Sequence, residues 1–174
     1  MRKLKIMEHV SIDGVIQSSG EDGFPYADWT VPYRTPAGRD EVLAAHGPRF
    51  DLLLGRRTYD MWSDYWPKAP AGPMADGLNA ATNRRRRGRG RAAHQVAGGA
   101  GPRAVGQFPL TSTLLAQGLA DEVMLIVYPV LVGTGKRLFA QGTPGRAFEL
   151  VGTKTTPSGL LLNTYKLAGA LKAA

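Results

Sequence analysis

The sequence predicts an α/β fold, in which strands and helices alternate around one central sheet. The apolar residues Leu52 to Leu54 stand directly before Gly55 and a basic stretch, a pattern typical of a strand that is covered on both faces and leads into a helix. A longer apolar run at 121–128 predicts a second buried strand. Two strand-like stretches flank the turn residues 155–159, which predicts an antiparallel hairpin and makes the sheet mixed.

The composition fits one soluble domain spanning residues 1–174. A chain of 174 residues buries roughly 70% of its unfolded surface, and 43% hydrophobic with 21% charged residues is ordinary for a globular protein. The absence of cysteine excludes disulfides and cysteine-ligated metals. The N-terminus lacks the apolar region of a signal peptide and no run approaches the ~18 apolar residues of a membrane span, so we expect a cytoplasmic protein without membrane contact.

In the first half of the chain, alternation of apolar and polar residues over 4–17 predicts a strand pair or a bent strand, with Asp13-Gly14 as its turn. Residues 18–36 are rich in glycine and proline yet carry several aromatic residues, which favours a lid or binding loop; the alternative is a set of aromatic plugs that close the core. The following elements are a helix at 38–46, a strand at 50–54 and a helix at 57–65.

In the second half, a short helix is predicted at 75–81 and another at 111–117, ended by Gly118 as its C-terminal cap. The buried strand at 121–128 runs into a glycine-rich loop at 129–135. The hairpin strands are expected at 148–154 and 160–167.

Residues 83–107 form a distinct segment rich in arginine and glycine. It has no helical or strand periodicity and few bulky apolar residues, so we expect it to contribute nothing to the core. Seven arginines between Arg84 and Arg103 account for nearly all of the net charge of +8. The tract from Arg84 to Arg91 favours three alternatives: an arm that binds nucleic-acid phosphates, a disordered basic loop, or a shifted translation of GC-rich DNA.

The junction at Gly55 is a candidate phosphate site. Free N–H groups in the first turn of a helix, together with the positive end of its dipole, favour an anion, and glycine lets a ligand approach the backbone. Arg56 and Arg57 add positive charge, and Thr58 adds a hydroxyl donor. The alternative is an ordinary turn with two solvated arginines.

Five short motifs occur in order: VSIDGVI at 10–16, LGRRTY at 54–59, LADEV at 119–123, PVLVGTGKRLF at 129–139 and SG at 158–159. Together they resemble the dihydrofolate reductase-like family that includes the C-terminal reductase domain of the bifunctional riboflavin-biosynthesis deaminase-reductase, and especially its small stand-alone bacterial members. The resemblance covers residues 3–82 and 110–168.

The resemblance implies a three-layer fold with a mixed, mostly parallel sheet, often a homodimer, that binds NADPH and a pterin-like or pyrimidine-like heterocycle. The residues implied for cofactor binding are Gly55, Arg56, Arg57, Thr58, Gly106, Val132 and Gly133. Those implied for the substrate cleft are Gly14, Trp29, Trp62 and Tyr65, with Asp13 as the candidate catalytic acid or, alternatively, a turn residue. The chain departs from the family pattern at 83–109, where two strands that hold the cofactor phosphates are expected to be missing.

Other functions receive less support. The three histidines are scattered without acidic partners at helical spacing, which argues against a catalytic metal, and His9 is interpreted as structural. No nucleophile elbow or phosphate-loop lysine motif is present, which excludes common hydrolase and nucleotide-triphosphatase classes. We therefore predict an NADPH-dependent reductase; the rivals are a nucleic-acid-binding protein using the arginine tract and an inactive relative that keeps only the fold.

Overall fold

The computed structural model describes residues 3–47, 50–86, 102–105, 108–139 and 141–171, in which the side chains of 57, 82–86, 102–105 and 108–109 are not described. The strands are β1 (Lys5–Ser11), β2 (Asp51–Leu54), β3 (Pro102–Val105), β4 (Glu122–Tyr128), β5 (Arg146–Thr155) and β6 (Leu161–Ala170). The helices are α1 (Pro36–His46), α2 (Arg56–Tyr65), α3 (Pro73–Arg86) and α4 (Phe108–Ala116), and short 3₁₀ turns lie at Glu21–Gly23, Val31–Tyr33 and Trp66–Lys68.

All six strands belong to one sheet in the order β2-β3-β1-β4-β6-β5. The pairs β2–β3, β3–β1 and β1–β4 are parallel, whereas β4–β6 and β6–β5 are antiparallel. The predicted α/β class with a mixed, mostly parallel sheet and a C-terminal antiparallel hairpin is therefore confirmed. The two central strands, β1 and β4, are largely buried, as the apolar run in β4 predicted.

Successive side chains of β1 point to opposite faces of the sheet, so this strand contributes to a core on each face. Met7 packs with Val42 of α1 and with Met124 and Ile126 of β4. Its neighbour Ile6 points to the other face, where it packs with α4. Ile6 is 0% exposed and Met7 is 2% exposed, so each contributes about 1.5–3 kcal/mol of hydrophobic stabilisation. Helices on both faces of the sheet give the three predicted layers.

The ends of the helices follow from particular residues. Thr35 caps α1 because its side chain accepts a hydrogen bond from the Gly38 N–H at 3.1 Å, and Pro36 occupies the first helical position. Gly47, with φ of 69°, ends the helix. Gly118, with φ of 66°, donates to the Leu115 carbonyl at 3.1 Å, as expected for the cap after α4.

The expectation that residues 83–107 lack regular structure is wrong at both ends of the segment. Helix α3 continues to Arg86, and residues 102–105 form β3 between β2 and β1. One of the two strands expected to be missing is therefore present. Hydrogen bonding to two neighbouring strands satisfies this backbone, so tertiary pairing overrides the weak local pattern. The remainder of the segment, including Arg87 to Arg91, Gly106 and Gln107, lies outside the described residues.

Within the described ranges, no helix is long and apolar enough to cross a membrane. In the same part of the chain, no cluster of three or more histidine or acidic side chains has the arrangement of a metal site.

Candidate functional site

The loops that follow the parallel strands meet at one edge of the sheet. Residues 12–14 follow β1, Gly55 follows β2, and residues 129–133 follow β4. Because these strands run in the same direction, their carboxyl ends share an edge, which is where open α/β sheets bind ligands. After the neighbouring strands β1 and β3 the chain passes to opposite faces, to α1 and α4 respectively, and open α/β sheets bind their ligands at such a divergence.

The Gly55 corner keeps the first turn of α2 available to an anion. Gly55 is the N-cap residue and provides no side-chain hydrogen bond to the helix. The side chain of Arg56 is 87% exposed, and its Nε lies 3.0 Å from the Asp60 carboxylate one turn further on. Thr58 is buried and has a partner of its own, which favours a core role over the predicted phosphate contact. Only the backbone of Arg57 is described.

Asp13 connects the loop after β1 to the loop after β4. Its two carboxylate oxygens accept hydrogen bonds from the backbone N–H groups of Val132 at 3.1 Å and Gly133 at 2.9 Å. The Ser11 hydroxyl donates to the same carboxylate at 2.6 Å. Arg137 donates to the Asp13 carbonyl oxygen, and its guanidinium lies 3.6 Å from the carboxylate. Four groups thus hold Asp13 in place.

These bonds stabilise the negative charge of Asp13. The hydrogen bonds from Ser11 and Val132, assisted by the one from Gly133, lower the pKa of Asp13 from 3.8 to about 2. The bonds therefore stabilise further the ionised form that an aspartate has at neutral pH, in which it has no proton to donate. Its geometry supports the alternative of a turn residue, whereas the predicted role as catalytic acid receives no support.

Two glycines shape this edge. Gly14 has φ of 84° and its N–H donates to the Ser11 carbonyl, closing the turn that aims Asp13 at the facing loop. Gly133 has φ of 79° and is exposed, so the backbone beside Val132 is open to a ligand. The predicted residues Asp13, Gly14, Val132 and Gly133 are therefore brought together.

The predicted aromatic walls do not gather at one place. Trp29 packs edge-to-face on Tyr128, the last residue of β4, with ring centroids 5.2 Å apart, so it lies beside the carboxyl end of β4. Trp62 is partly buried against the core under α3, and Tyr65 is 59% exposed in the last turn of α2. Since Tyr65 stands ten residues beyond Gly55, the helix carries it roughly 15 Å away from the corner.

Sequence reasoning missed a His–Tyr pair beneath Trp29. The Nδ1 atom of His9 lies 2.8 Å from the Tyr128 hydroxyl, and Tyr128 is 3% exposed. Burial, with nearby Arg34 and His46, lowers the pKa of His9 from 6.5 to about 4, and burial raises the pKa of Tyr128 to about 12. Both are neutral at pH 7, which agrees with the structural role predicted for His9. In the sequence, only the alternating side-chain pattern of the two neighbouring strands that carry His9 and Tyr128 could have indicated this contact.

An open apolar groove of about 510 Å³ lies elsewhere, between α1 and α3. Its lining includes Leu43, Phe50 and Gly77. Phe50 immediately precedes β2, which places the groove toward the amino edge of the sheet, away from Asp13. The groove therefore does not belong to the candidate site.

Comparison with known proteins agrees with this architecture. Residues 106–162 match the model of the RibD C-terminal domain family. The matched part includes α4, β4, the 129–133 loop and the hairpin turn, so the resemblance to the RibD C-terminal domain inferred from the sequence motifs is confirmed. A comparison with curated proteins gave no match.

Solved structures share the fold over nearly the whole chain. A protein of Shewanella sp. PV-4, provisionally assigned to riboflavin biosynthesis, is 18% identical with a TM-score of 0.60, covering 95% of this chain and 98% of its own. A pyrimidine reductase-like protein of Corynebacterium diphtheriae is 13% identical with a TM-score of 0.59, covering 95% and 92%. Acinetobacter baumannii RibD is 14% identical with a TM-score of 0.58, covering 97% of this chain and 58% of its own. At these identities the likeness shows the fold alone.

Proposed function

We propose that this chain is an NADPH-dependent reductase of the RibD C-terminal type that acts on a pterin-like or pyrimidine-like heterocycle. The observation that carries the proposal is that the Gly55 corner and the Gly133 loop lie at the same carboxyl edge of the sheet. The ends of β2 and β4 are separated by three strand spacings, roughly 14 Å. An extended dinucleotide can bridge two sites at such a separation.

The residues of this edge fit the chemical groups of the cofactor. The uncapped first turn of α2 and the exposed Arg56 suit a phosphate, because backbone N–H groups and a guanidinium both donate to its oxygens. The exposed backbone at Gly133 suits a flat ring, since glycine has no side chain to keep it away.

When bound, NADPH supplies the hydride for the reduction. The chain's own residues bind and orient the two reactants. Gly55 and Arg56 anchor phosphate, the 132–133 backbone supports the ring, and Trp29 offers an aromatic wall beside the end of β4. Asp13 stays ionised and holds the loops together, so it is a positioning residue in this proposal and does not donate the proton.

Titration with NADPH, followed by calorimetry or by quenching of tryptophan fluorescence, tests the proposal. Replacing Arg56 with Gln should weaken NADPH binding about 3- to 10-fold, because one charge-assisted phosphate contact is lost. The matched control is Lys68→Gln, which also removes one cation and one exposed i,i+4 ion pair, with Asp64, at the far end of α2. Saturable binding that Arg56→Gln weakens and Lys68→Gln leaves unchanged supports the site; absence of NADPH binding by the wild-type chain would refute the function.

The resemblance also leads us to propose a cytoplasmic homodimer. Strand β5 lies at the edge of the sheet and exposes Leu150 by 56% and Val151 by 60%, an apolar pair suited to contact with a second copy. Light scattering measures the mass in solution, and Leu150→Lys should shift a dimer toward the monomer. A wild-type chain that is monomeric at micromolar concentration would contradict this assembly.

A further inference from the structure

His9 is partly exposed although it lies inside a central strand of the sheet. The side chains of Met7 and Ser11, which flank His9 on the same face of β1, are each 2% exposed. Helix α1 and the aromatic segment before it cover this face, so solvent reaches His9 through an opening in that layer. The opening forms a recess above the imidazole of His9.

Aromatic side chains lie beside this recess. Trp29 and Tyr33 are partly buried against the same core, and both pack edge-to-face on the ring of Tyr128, with centroids 5.2 and 5.7 Å apart. Tyr128 is the last residue of β4, so the recess adjoins the carboxyl end of the parallel strands. Such surroundings suit a planar ring, because aromatic faces and edges attract one another.

The contact with Tyr128 determines which nitrogen of His9 carries the proton. Nδ1 of His9 lies 2.8 Å from the Tyr128 hydroxyl and is its only hydrogen-bond partner among the described residues. Tyr128 is 3% exposed, so its hydroxyl hydrogen is satisfied only if it donates to Nδ1. Burial lowers the pKa of His9 to about 4, and the neutral imidazole therefore carries its single hydrogen on Nε2.

Nε2 of His9 is available to a ligand. His9 makes no second hydrogen bond within the described ranges. In the same part of the chain, the side-chain polar atoms that are buried without a partner belong to Trp66, Ser112 and Arg146, so Nε2 is not closed off from solvent. The recess thus presents an N–H donor at its base.

Arg34 adds a second donor beside the recess. Its charge lowers the pKa of both His9 and Tyr128, in line with a guanidinium close to this pair, and its Nη2 donates to the Thr30 hydroxyl at 2.8 Å. Among the residues that the structure describes, no carboxylate forms an ion pair with Arg34. Neither an Nε2–H group nor a guanidinium can accept a hydrogen bond, so these two groups favour ligand atoms that accept.

We propose that His9 is a specificity-determining residue, whose Nε2–H, fixed by the Tyr128 hydroxyl, donates a hydrogen bond to a carbonyl oxygen of the substrate ring. This inference rests on the proposed function for the kind of ring, whereas the recess and the tautomer follow from the geometry alone. An amino group in place of the carbonyl would set a donor against a donor and leave both unpaired. A neutral imidazole N–H is too weak an acid to protonate a substrate, so His9 selects the ring and does not supply the proton.

Nitrogen NMR of the histidine side chains in the free chain tests the tautomer. His9 should carry its hydrogen on Nε2, whereas His46 provides a reference of the opposite kind, because its Nδ1 lies 2.8 Å from the Val42 carbonyl and must donate to it. His9→Gln and His46→Gln assign the two signals. Tyr128→Phe should populate the form of His9 with hydrogen on Nδ1, and Tyr165→Phe, which removes a hydroxyl beside the start of β4, should not. A hydrogen on Nδ1 of His9 in the wild-type chain would overturn the inference.

Two pteridines with the same ring system test the selection. 2,4-Dioxopteridine has carbonyl oxygens at the positions where 2,4-diaminopteridine has amino groups. The wild-type chain should prefer the dioxo compound by about tenfold, the equivalent of about one neutral hydrogen bond gained or left unmade. His9→Phe keeps an aromatic ring but has no donor, so the preference should fall to about threefold or less, the remainder coming from Arg34. Tyr165→Phe should keep the wild-type preference.

The ratio of the two affinities separates selection from a general loss of structure. A merely destabilised variant binds both pteridines less tightly and keeps the ratio, and circular dichroism checks that each variant is folded. If neither pteridine binds, if no preference exists, or if His9→Phe keeps it, the inference is refuted. A parallel NADPH titration distinguishes the two proposals: binding of NADPH without the ring preference leaves the reductase standing, and the ring preference without NADPH binding refutes the reductase but keeps the recess.

Discussion

Gly135, in the glycine-rich loop that follows β4, has no room for a side chain. Gly135→Ala tests how this loop packs against Phe24 and Val15. The φ of Gly135 is 110°, which lies in the region that L-residues rarely adopt. A Cβ atom there would lie 2.7 Å from Cε2 of Phe24 and 3.1 Å from Cγ1 of Val15. Phe24 is 8% exposed and Val15 is fully buried, so neither side chain can move into solvent.

Two costs determine how much Gly135→Ala should lower the free energy of unfolding. Placing alanine at positive φ costs about 1–2 kcal/mol, and forcing a methyl group into a packed core costs about 1–3 kcal/mol. Gly135→Ala should therefore lower the free energy of unfolding by about 2–5 kcal/mol. Gly118→Ala isolates the first term, because Gly118 has φ of 66° and a Cβ there would meet nothing within 4 Å.

Urea denaturation followed by circular dichroism measures both variants. Gly135→Ala should be less stable than Gly118→Ala by at least about 1 kcal/mol. A double-mutant cycle with Phe24→Ala adds a second check, because removing the ring removes the clash, so the two losses should be less than additive. Equal losses for Gly135→Ala and Gly118→Ala, or additive losses with Phe24→Ala, would refute the packing of the glycine loop against the aromatic segment.

Three further predictions concern the core, the half-buried imidazole of His9 and the arginine tract. Leu115→Ala should destabilise the chain by about 2–5 kcal/mol in urea denaturation, because Leu115 is 2% exposed in the core under α4. Between pH 6.5 and about 4, His9 stays neutral in the folded chain but binds a proton in the unfolded chain. The free energy of unfolding should therefore fall by about 3 kcal/mol as the pH drops through that window. His9→Gln should flatten this pH dependence. If the arginines from Arg84 to Arg91 bind duplex DNA, affinity should fall steeply between two salt concentrations, and a chain with Arg84 and Arg85 replaced by Gln should show a smaller salt slope; no binding at low salt would exclude that function.

The elements that the sequence predicted well are those with strong local signals. The apolar run of β4, the strand–glycine junction at Gly55 and the turn at 155–159 specify their structures within a few residues. Strand β3 gave no such signal, because Pro102 to Val105 contains only small apolar residues and an arginine. It is a strand because Leu53 and Ile6 lie on either side of Ala104 in the register of the sheet, and pairing of that kind is invisible in a local pattern.

In the candidate site, too, the features that depend on local sequence could be predicted, and those that depend on distant contacts could not. The turn at Gly14 and the open backbone at Gly133 could be predicted, because glycine in a turn sequence indicates a special backbone conformation. The scattering of Trp29, Trp62 and Tyr65 could not, because it depends on how far α2 carries its last turn from the sheet edge.

Asp13 shows why residue type alone misassigns a role. A carboxylate in a turn at the expected cleft suits general acid chemistry, and no nearby residue in the sequence contradicts that role. The groups that decide otherwise are the Ser11 hydroxyl, two residues away, and the amides of Val132 and Gly133, which are 119 and 120 residues further along the chain. They bond the ionised form and lower the pKa of Asp13 to about 2, so the carboxylate keeps its charge and cannot protonate a substrate. We therefore expect a reductase built on this edge to take its proton from another group or from water, while Asp13 fixes the backbone on which the cofactor ring would rest.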